Sequence, residues 1–164
     1  MLPDQDRSLW DYMQIQRGMT SLEHTQRLGL GGSGKSYALQ AAIAACHMRA
    51  RTAEETDWER IVLLYDALLQ ISPSPIVALN RAVALGTAQG PAAGLDAVDK
   101  LTADPALAGY HLLPSVRGDL LTKMGRFAEA REEIQRAVAM TQNPREHALL
   151  TERLKQIEKP ALSA

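Results

Sequence analysis

The sequence has few of the residues that favour β-strands. It contains 6 Val and 7 Ile, against 25 Ala and 23 Leu, in 164 residues. Ala and Leu are strong helix formers, whereas β-branched residues are enriched in strands. This composition predicts an all-α fold and excludes an all-β architecture.

Cysteine and surplus charge are also scarce. The single cysteine, Cys46, permits neither an intramolecular disulfide nor a cysteine-rich zinc site, and we interpret it as a small buried side chain. With 18 basic and 19 acidic residues the formal net charge is −1, so the chain has no basic excess of the kind that neutralises phosphates. We therefore expect no direct binding of nucleic acid.

Long apolar runs are absent as well. The longest covers residues 41–46, whereas a membrane-spanning helix needs roughly 18 to 20 apolar residues. Residues 4–7 read DQDR, where a secretory signal peptide would be apolar. We therefore expect a cytoplasmic protein that does not cross a membrane.

What the sequence does contain is a regular set of helix ends. A polar acceptor followed by proline is typical of a helix N-terminus, because the acceptor caps free N–H groups and proline has none to satisfy. Three such pairs occur: Ser74-Pro75, Asp104-Pro105 and Asn143-Pro144. Thr56 with Glu59, and more weakly Thr20 with Glu23, have the spacing of a capping box. Glycines placed to end a helix in the left-handed conformation are Gly18, Gly90 and Gly125.

Between these ends the apolar residues recur with the helical period. The pattern predicts helices at 7–17, 20–29, 36–50, 57–71, 75–88, 91–102, 106–124, 127–140 and 144–158. The linkers are short, so we expect neighbouring helices to form antiparallel hairpins. We expect one domain over residues 1–164, with a frayed tail at 159–164.

One motif indicates phosphate chemistry. Residues 29–36 read GLGGSGKS and satisfy the phosphate-loop pattern, in which backbone N–H groups cradle phosphates. In that pattern Gly29 and Gly34 shape the loop, Lys35 reaches the terminal phosphate and Ser36 binds magnesium. The apolar run at 61–66, which ends in an Asp, imitates the strand that carries a second magnesium ligand. A nucleotide-binding enzyme is therefore one hypothesis.

The context of the motif favours a different interpretation. A phosphate loop follows a buried strand, but residues 19–28 contain no Val, no Ile and no aromatic side chain. We therefore interpret the glycine cluster as a linker between helices, with Ser36 capping the next one. The four histidines are scattered without a metal-binding spacing. We predict no catalytic residue, no cofactor and no metal site.

One segment has the spacing of a tetratricopeptide repeat (TPR), a helical hairpin that stacks on its neighbours. The matching positions between residues 114 and 144 are Gly118, Leu121, Gly125, Phe127, Ala130, Ile134 and Ala137. Pro114 stands where the pattern has Trp, so the signature is incomplete. The pairs at 36–71 and 75–102 have suitable lengths without the motif. We expect a TPR-like, right-handed stack of helical hairpins.

Four collinear segments make a family resemblance visible. They are DQDRSLWD at 4–11, YALQAAIAACH at 37–47, TDW at 56–58 and SPIVALNRAVA at 74–84. Together they resemble the C-terminal, TPR-like extension of a group of bacterial extracytoplasmic-function (ECF) sigma factors. The family has a short turn where this chain carries the glycine cluster. The two sigma core domains, which contact RNA polymerase and promoter DNA, have no counterpart in this sequence.

The resemblance implies a non-enzymatic regulatory domain of a sigma factor. Its expected partners are the sigma core domains or RNA polymerase, contacted as an excised domain or as a free-standing relative. Asp6, Arg7 and Trp10 would lie where the domain joins the sigma core, and Arg and Trp are common interface anchors. Asn80 and Arg81 stand among apolar residues, so we expect them to be paired in the interior or to face a ligand in a groove. A small-ligand-sensing helical module is a further alternative.

Overall fold

The computed structural model describes residues 9–27 and 33–158. Within these residues the regular structure is helical, and no strand occurs. The predicted all-α class is therefore confirmed. The chain divides into two compact units, Met1–Val77 and Ala78–Ala164. The predicted tail at 159–164 lies outside the described residues.

In its described residues the first unit contains α1 (Tyr12–Arg27), α2 (Ser33–Arg49), α3 (Trp58–Ile71) and the first residues of the next helix. Helix α2 packs against both α1 and α3. Helix α1 runs without interruption past Gly18, so the predicted separate helices at 7–17 and 20–29 are wrong. Gly18 does not have a positive φ, so it continues the helix. A single glycine inside a helix lowers the stability of that helix without ending it.

The N-termini of α1 and α3 are capped by aspartates. Asp11 Oδ1 accepts hydrogen bonds from the backbone N–H groups of Met13 and Gln14, each at 3.0 Å. Asp57 Oδ1 accepts from the Arg60 N–H at 3.0 Å. The predicted capping box at Thr56 is wrong, since the Thr56 hydroxyl is directed back to the carbonyl of Thr52. The capping residue is Asp57, which directly precedes the first residue of α3.

The second unit contains most of α4 (Pro75–Ala88), together with α5 (Pro91–Asp99), α6 (Leu112–Lys123), α7 (Phe127–Met140) and α8 (Pro144–Glu158). The bounds of α4, α7 and α8 are as predicted. Asp104 does cap a helical segment, accepting from the Ala106 N–H at 2.9 Å. That segment is the short 3-10 turn Pro105–Leu107, so the predicted helix at 106–124 begins later, at Leu112.

The glycine helix end predicted at Gly125 is confirmed in this unit, since Gly125 has φ of 74° and follows α6. Gly90 also has a positive φ, of 99°, but its ψ of 157° is not left-handed helical, and it is the N-cap of α5. Helix α6 ends in a Schellman motif. The Arg126 N–H donates to the Leu121 carbonyl at 2.9 Å, and the Gly125 N–H donates to the Thr122 carbonyl at 3.0 Å. These turns allow α5 and α7 to fold back on the preceding helices.

Close packing between the paired helices depends on small residues. A Cβ atom at Gly94 of α5 would lie 3.0 Å from the carbonyl oxygen of Ala82 on α4, and one at Gly118 of α6 would lie 3.2 Å from that of Ala130 on α7. The two contacts are related by a spacing of 36 residues. The same spacing relates two fully buried residues, Val98 and Ile134. The α4–α5 and α6–α7 hairpins therefore share one packing pattern.

An ion-pair network joins α5, α6 and α7. The Arg117 guanidinium on α6 donates to Asp99 Oδ1 at 2.8 Å and to Glu133 Oε1 at 3.1 Å. Glu133 is buried, and its Oε1 also accepts from Arg136 at 2.8 Å. The hydrogen bond from Arg117 to Asp99 and the nearby carboxylates raise the pKa of Arg117, so its guanidinium group stays charged.

Candidate functional site

The part of the phosphate-loop motif that the structure describes, residues 33–36, lies at the start of α2. Gly29 lies outside the described residues, and the helix begins at Ser33. Gly34, Lys35 and Ser36 are therefore in its first turn, and the Lys35 side chain is exposed. The Ser36 hydroxyl accepts a hydrogen bond from Gln40 Nε2 at 3.3 Å. The prediction that Ser36 caps this helix is wrong, because three helical residues precede it.

The surroundings of this motif are helical. The regular element that precedes it is α1, and the apolar run at 61–66 lies inside α3. In the described residues no strand therefore ends beside Lys35 or carries an Asp towards it. A phosphate loop is normally held between a strand and a helix, and the described part of the chain supplies the helix alone.

The residues predicted at the sigma-core junction are described only in part. Asp6 and Arg7 lie outside the described residues. Trp10 is half-buried, and it precedes the capping residue of α1. Its neighbour Leu9 is 82% exposed, and Met13, one turn later, is 66% exposed. Trp10, the residue of this prediction that lies in the described part of the chain, therefore has exposed apolar side chains close to it in sequence.

Asn80 and Arg81 lie in the middle of α4, as predicted, but they have different environments. Asn80 is exposed and Arg81 is half-buried, so the expected interior pairing of the two is wrong for Asn80. Asn80 is followed on the same helix by Val83 and Thr87, both exposed, at the three- and four-residue spacing of one helical face. This face of α4 presents the side chains of Asn80, Val83 and Thr87 to solvent.

The described histidines have structural contacts or lie at the surface. The His47 ring meets the Trp58 ring edge-on, with centroids 5.2 Å apart. His111 Nε2 lies 2.9 Å from Glu146 Oε2, which also accepts from the Thr141 hydroxyl at 3.0 Å. Across residues 9–27 and 33–158, no group of three or more His, Cys, Asp or Glu side chains is arranged to hold a metal ion.

Sequence reasoning missed a pocket between α2 and α3, in the first unit. Its volume is about 200 Å³, and its lining residues are Cys46, Arg49, Ala50, Glu55, Asp57 and Arg60. Cys46 is 6% exposed, which confirms its predicted burial. Burial raises the pKa of the Cys46 thiol, and the Arg60 charge opposes that rise. The sequence gives little indication of this pocket, because its lining residues come from the end of α2, the connector and the start of α3, and they form no recognisable motif.

Large exposed apolar side chains are frequent in the first unit. They are Leu9, Tyr12, Met13, Tyr37, Leu63, Ile71 and Ile76. Burial of such side chains in a partner is favourable, and surfaces that present several of them are typical of protein contacts. Among the described helices, none combines the length and the apolarity that a membrane span requires.

Comparison with known proteins gives a relative of similar sequence. The chain is 43% identical over 150 residues to an uncharacterized protein of Rhizobium meliloti (strain 1021). The alignment covers 92% of this chain and 34% of that protein, so the chain spans about a third of the length of its relative. No family model matches the chain. No solved structure matches it either.

Proposed function

We propose that this chain is a non-enzymatic regulatory domain of an ECF sigma factor that works in the cytoplasm through protein contacts. In this proposal it modulates transcription initiation by binding the sigma core domains or RNA polymerase. It does not contact promoter DNA itself, consistent with a formal net charge of −1. The four family segments quoted above carry the proposal.

The helical architecture supports a TPR-like, right-handed repeat as the scaffold. The small-residue contacts of the α4–α5 and α6–α7 hairpins recur after 36 residues, which is close to the length of one TPR unit. Stacked hairpins of this kind offer an extended binding surface and need no catalytic group. The relative from Rhizobium meliloti is about three times as long as the matched region, which leaves room in that protein for further domains.

Two surfaces are proposed to make the contacts. The first is formed by Leu9, Trp10 and Met13 around the start of α1, where exposed apolar side chains adjoin a half-buried indole. The second is the outer face of α4 around Asn80 and Val83. Asp6 and Arg7 are proposed to extend the first surface. Aromatic and arginine side chains are enriched among interface hot spots, which agrees with this choice.

Co-purification tests the proposal directly. The tagged chain is mixed at micromolar concentration with the purified sigma core from the same bacterium, and separately with RNA polymerase. We expect retention of at least one of them, and weaker retention by Met13→Ser or Asn80→Ala. Both positions are exposed, so neither change disturbs the core, and Lys123→Ser on exposed α6 surface is the matched control. Retention of neither partner contradicts the proposal.

A nucleotide-binding enzyme is the alternative that the phosphate-loop motif raises. Calorimetric titration with magnesium-ATP separates it from the proposed function, since Lys35→Ala abolishes binding at a true phosphate loop. We expect no saturable heat for the wild-type chain. Binding that is lost in Lys35→Ala supports the enzyme and contradicts the regulatory domain.

A further inference from the structure

The first helical hairpin departs from the packing pattern of the other two. The small-residue contacts of α4–α5 and α6–α7 recur after 36 residues, and the same spacing counted backwards reaches Cys46 on α2 and Trp58 on α3. A tryptophan cannot make the contact that glycine or alanine makes, because its ring needs space that a close helix approach removes. In the first hairpin the Trp58 ring instead meets His47 edge-on, and Nε1 donates to the Ala53 carbonyl at 3.3 Å.

The pocket lies where α2 ends and α3 begins, in this first hairpin. Cys46 and Arg49 come from the last turns of α2, Glu55 and Asp57 from the connector, and Arg60 from the first turn of α3. Its volume of about 200 Å³ is below the roughly 300 Å³ at which pockets for drug-sized ligands begin. The pocket therefore suits a ligand of only a few non-hydrogen atoms.

The charges of the lining select the chemistry of that ligand. The lining residues carry two carboxylates and two guanidinium groups, so their formal charges balance, and a simple anion or a simple cation meets attraction and repulsion together. A ligand that carries both charges can place each one beside a group of opposite sign. Each carboxylate is already oriented by a backbone N–H: Asp57 by that of Arg60 and Glu55 by that of Arg51, each at 3.0 Å. Both carboxylates are thus held in place before any ligand arrives, which reduces the cost of ordering them.

We propose that the α2–α3 pocket binds a small zwitterion, an α-amino acid, with its carboxylate at the Arg60 guanidinium and its ammonium group at the Asp57 carboxylate. The Cys46 thiol and Ala50 then face the short side chain of the ligand. The neutral thiol suits this role, because burial disfavours its ionised form. This site is independent of the proposed regulation of a sigma factor and requires no partner protein.

Protection of the thiol tests the pocket in the full-length chain. Cys46 is the single cysteine, so the rate of alkylation by iodoacetamide reports on this position alone. The probes are L-alanine as the zwitterion, acetate as the carboxylate alone and ethylammonium as the ammonium group alone, each up to about 10 mM because so small a ligand binds weakly. We expect L-alanine to slow alkylation in a saturable way, and each half-ligand to need at least about tenfold higher concentration.

Two variants assign the contacts. Arg60→Gln should raise the apparent dissociation constant for L-alanine by about tenfold or more, and Asp57→Asn should do the same while preserving the helix cap. Arg51→Gln changes a neighbouring arginine that does not line the pocket and should leave binding unchanged. Unaltered circular dichroism shows that each variant is folded. The proposal is wrong if L-alanine gives no saturable protection, if acetate protects equally well, or if Arg60→Gln binds like the wild type.

Discussion

Gly118 of α6 lies so close to Ile134 of α7 that a Cβ atom at Gly118 would be 2.7 Å from Ile134 Cδ1. Ile134 is fully buried, and the Ala130 carbonyl closes another side of the contact. Gly118→Ala should therefore destabilise the protein. Overpacking of this kind costs about 1–3 kcal/mol, and the better helix propensity of alanine returns at most about 1 kcal/mol. Thermal unfolding should show a fall in Tm of a few degrees.

The matched control is Gly18→Ala in the middle of α1. A Cβ atom there would have no neighbour within 4 Å, so the substitution brings only the gain in helix propensity of up to about 1 kcal/mol. An unchanged or higher Tm is expected. If Gly118→Ala is as harmless as Gly18→Ala, the α6–α7 contact is looser than described.

Arg117 should contribute more to the stability of the fold than Arg136, although both donate to Glu133 Oε1. Arg117→Met removes the bridge from α6 to both α5 and α7 and leaves the buried Glu133 with Arg136 alone. The loss of a charge-assisted hydrogen bond to a buried group costs about 2 kcal/mol. Arg136 has a 63% exposed side chain, so Arg136→Met should cost much less. Urea unfolding of both variants measures the difference, and equal costs would contradict the bridging role.

Glu129 should titrate differently once Arg126 is removed. The Arg126 guanidinium donates two hydrogen bonds to Glu129, at 2.7 and 2.6 Å, and these bonds lower the pKa of the Glu129 carboxyl. A lowered pKa in the folded state means that the pair stabilises the protein above the ordinary pKa of glutamate, and that this contribution is lost as the pH falls through the lowered value. NMR titration of Arg126→Ala should show the Glu129 pKa returning towards its ordinary value. No change would mean that the pair does not persist in solution.

Local chemistry explains which elements could be predicted from the sequence. Pro75 and Pro144 define the starts of α4 and α8 because proline fits the first helical position and the preceding linker is short. Gly90 and Gly125 are recognisable because their positive φ is costly for other residues. The break predicted at Gly18 did not occur, since nothing else near it opposes helix continuation.

Other features depend on contacts between distant residues, which periodicity does not reveal. The Asp99–Arg117–Glu133 network joins three helices, and nothing in the local sequence of any one of them indicates the other two. The pocket beside Cys46 is lined by residues of α2, of α3 and of their connector, and no local pattern in the sequence shows that they come together. The apolar neighbours of Asn80 predict either pairing in the interior or a place in a groove, and the structure leaves Asn80 exposed on α4.

Binding of the wild-type chain to the purified sigma core domains and to RNA polymerase, measured by biolayer interferometry, decides whether the chain is a regulatory domain. The proposed function requires saturable binding to at least one of them, with a dissociation constant in the micromolar range or below that Lys35→Ala leaves unchanged. Absence of binding to both contradicts the proposed function.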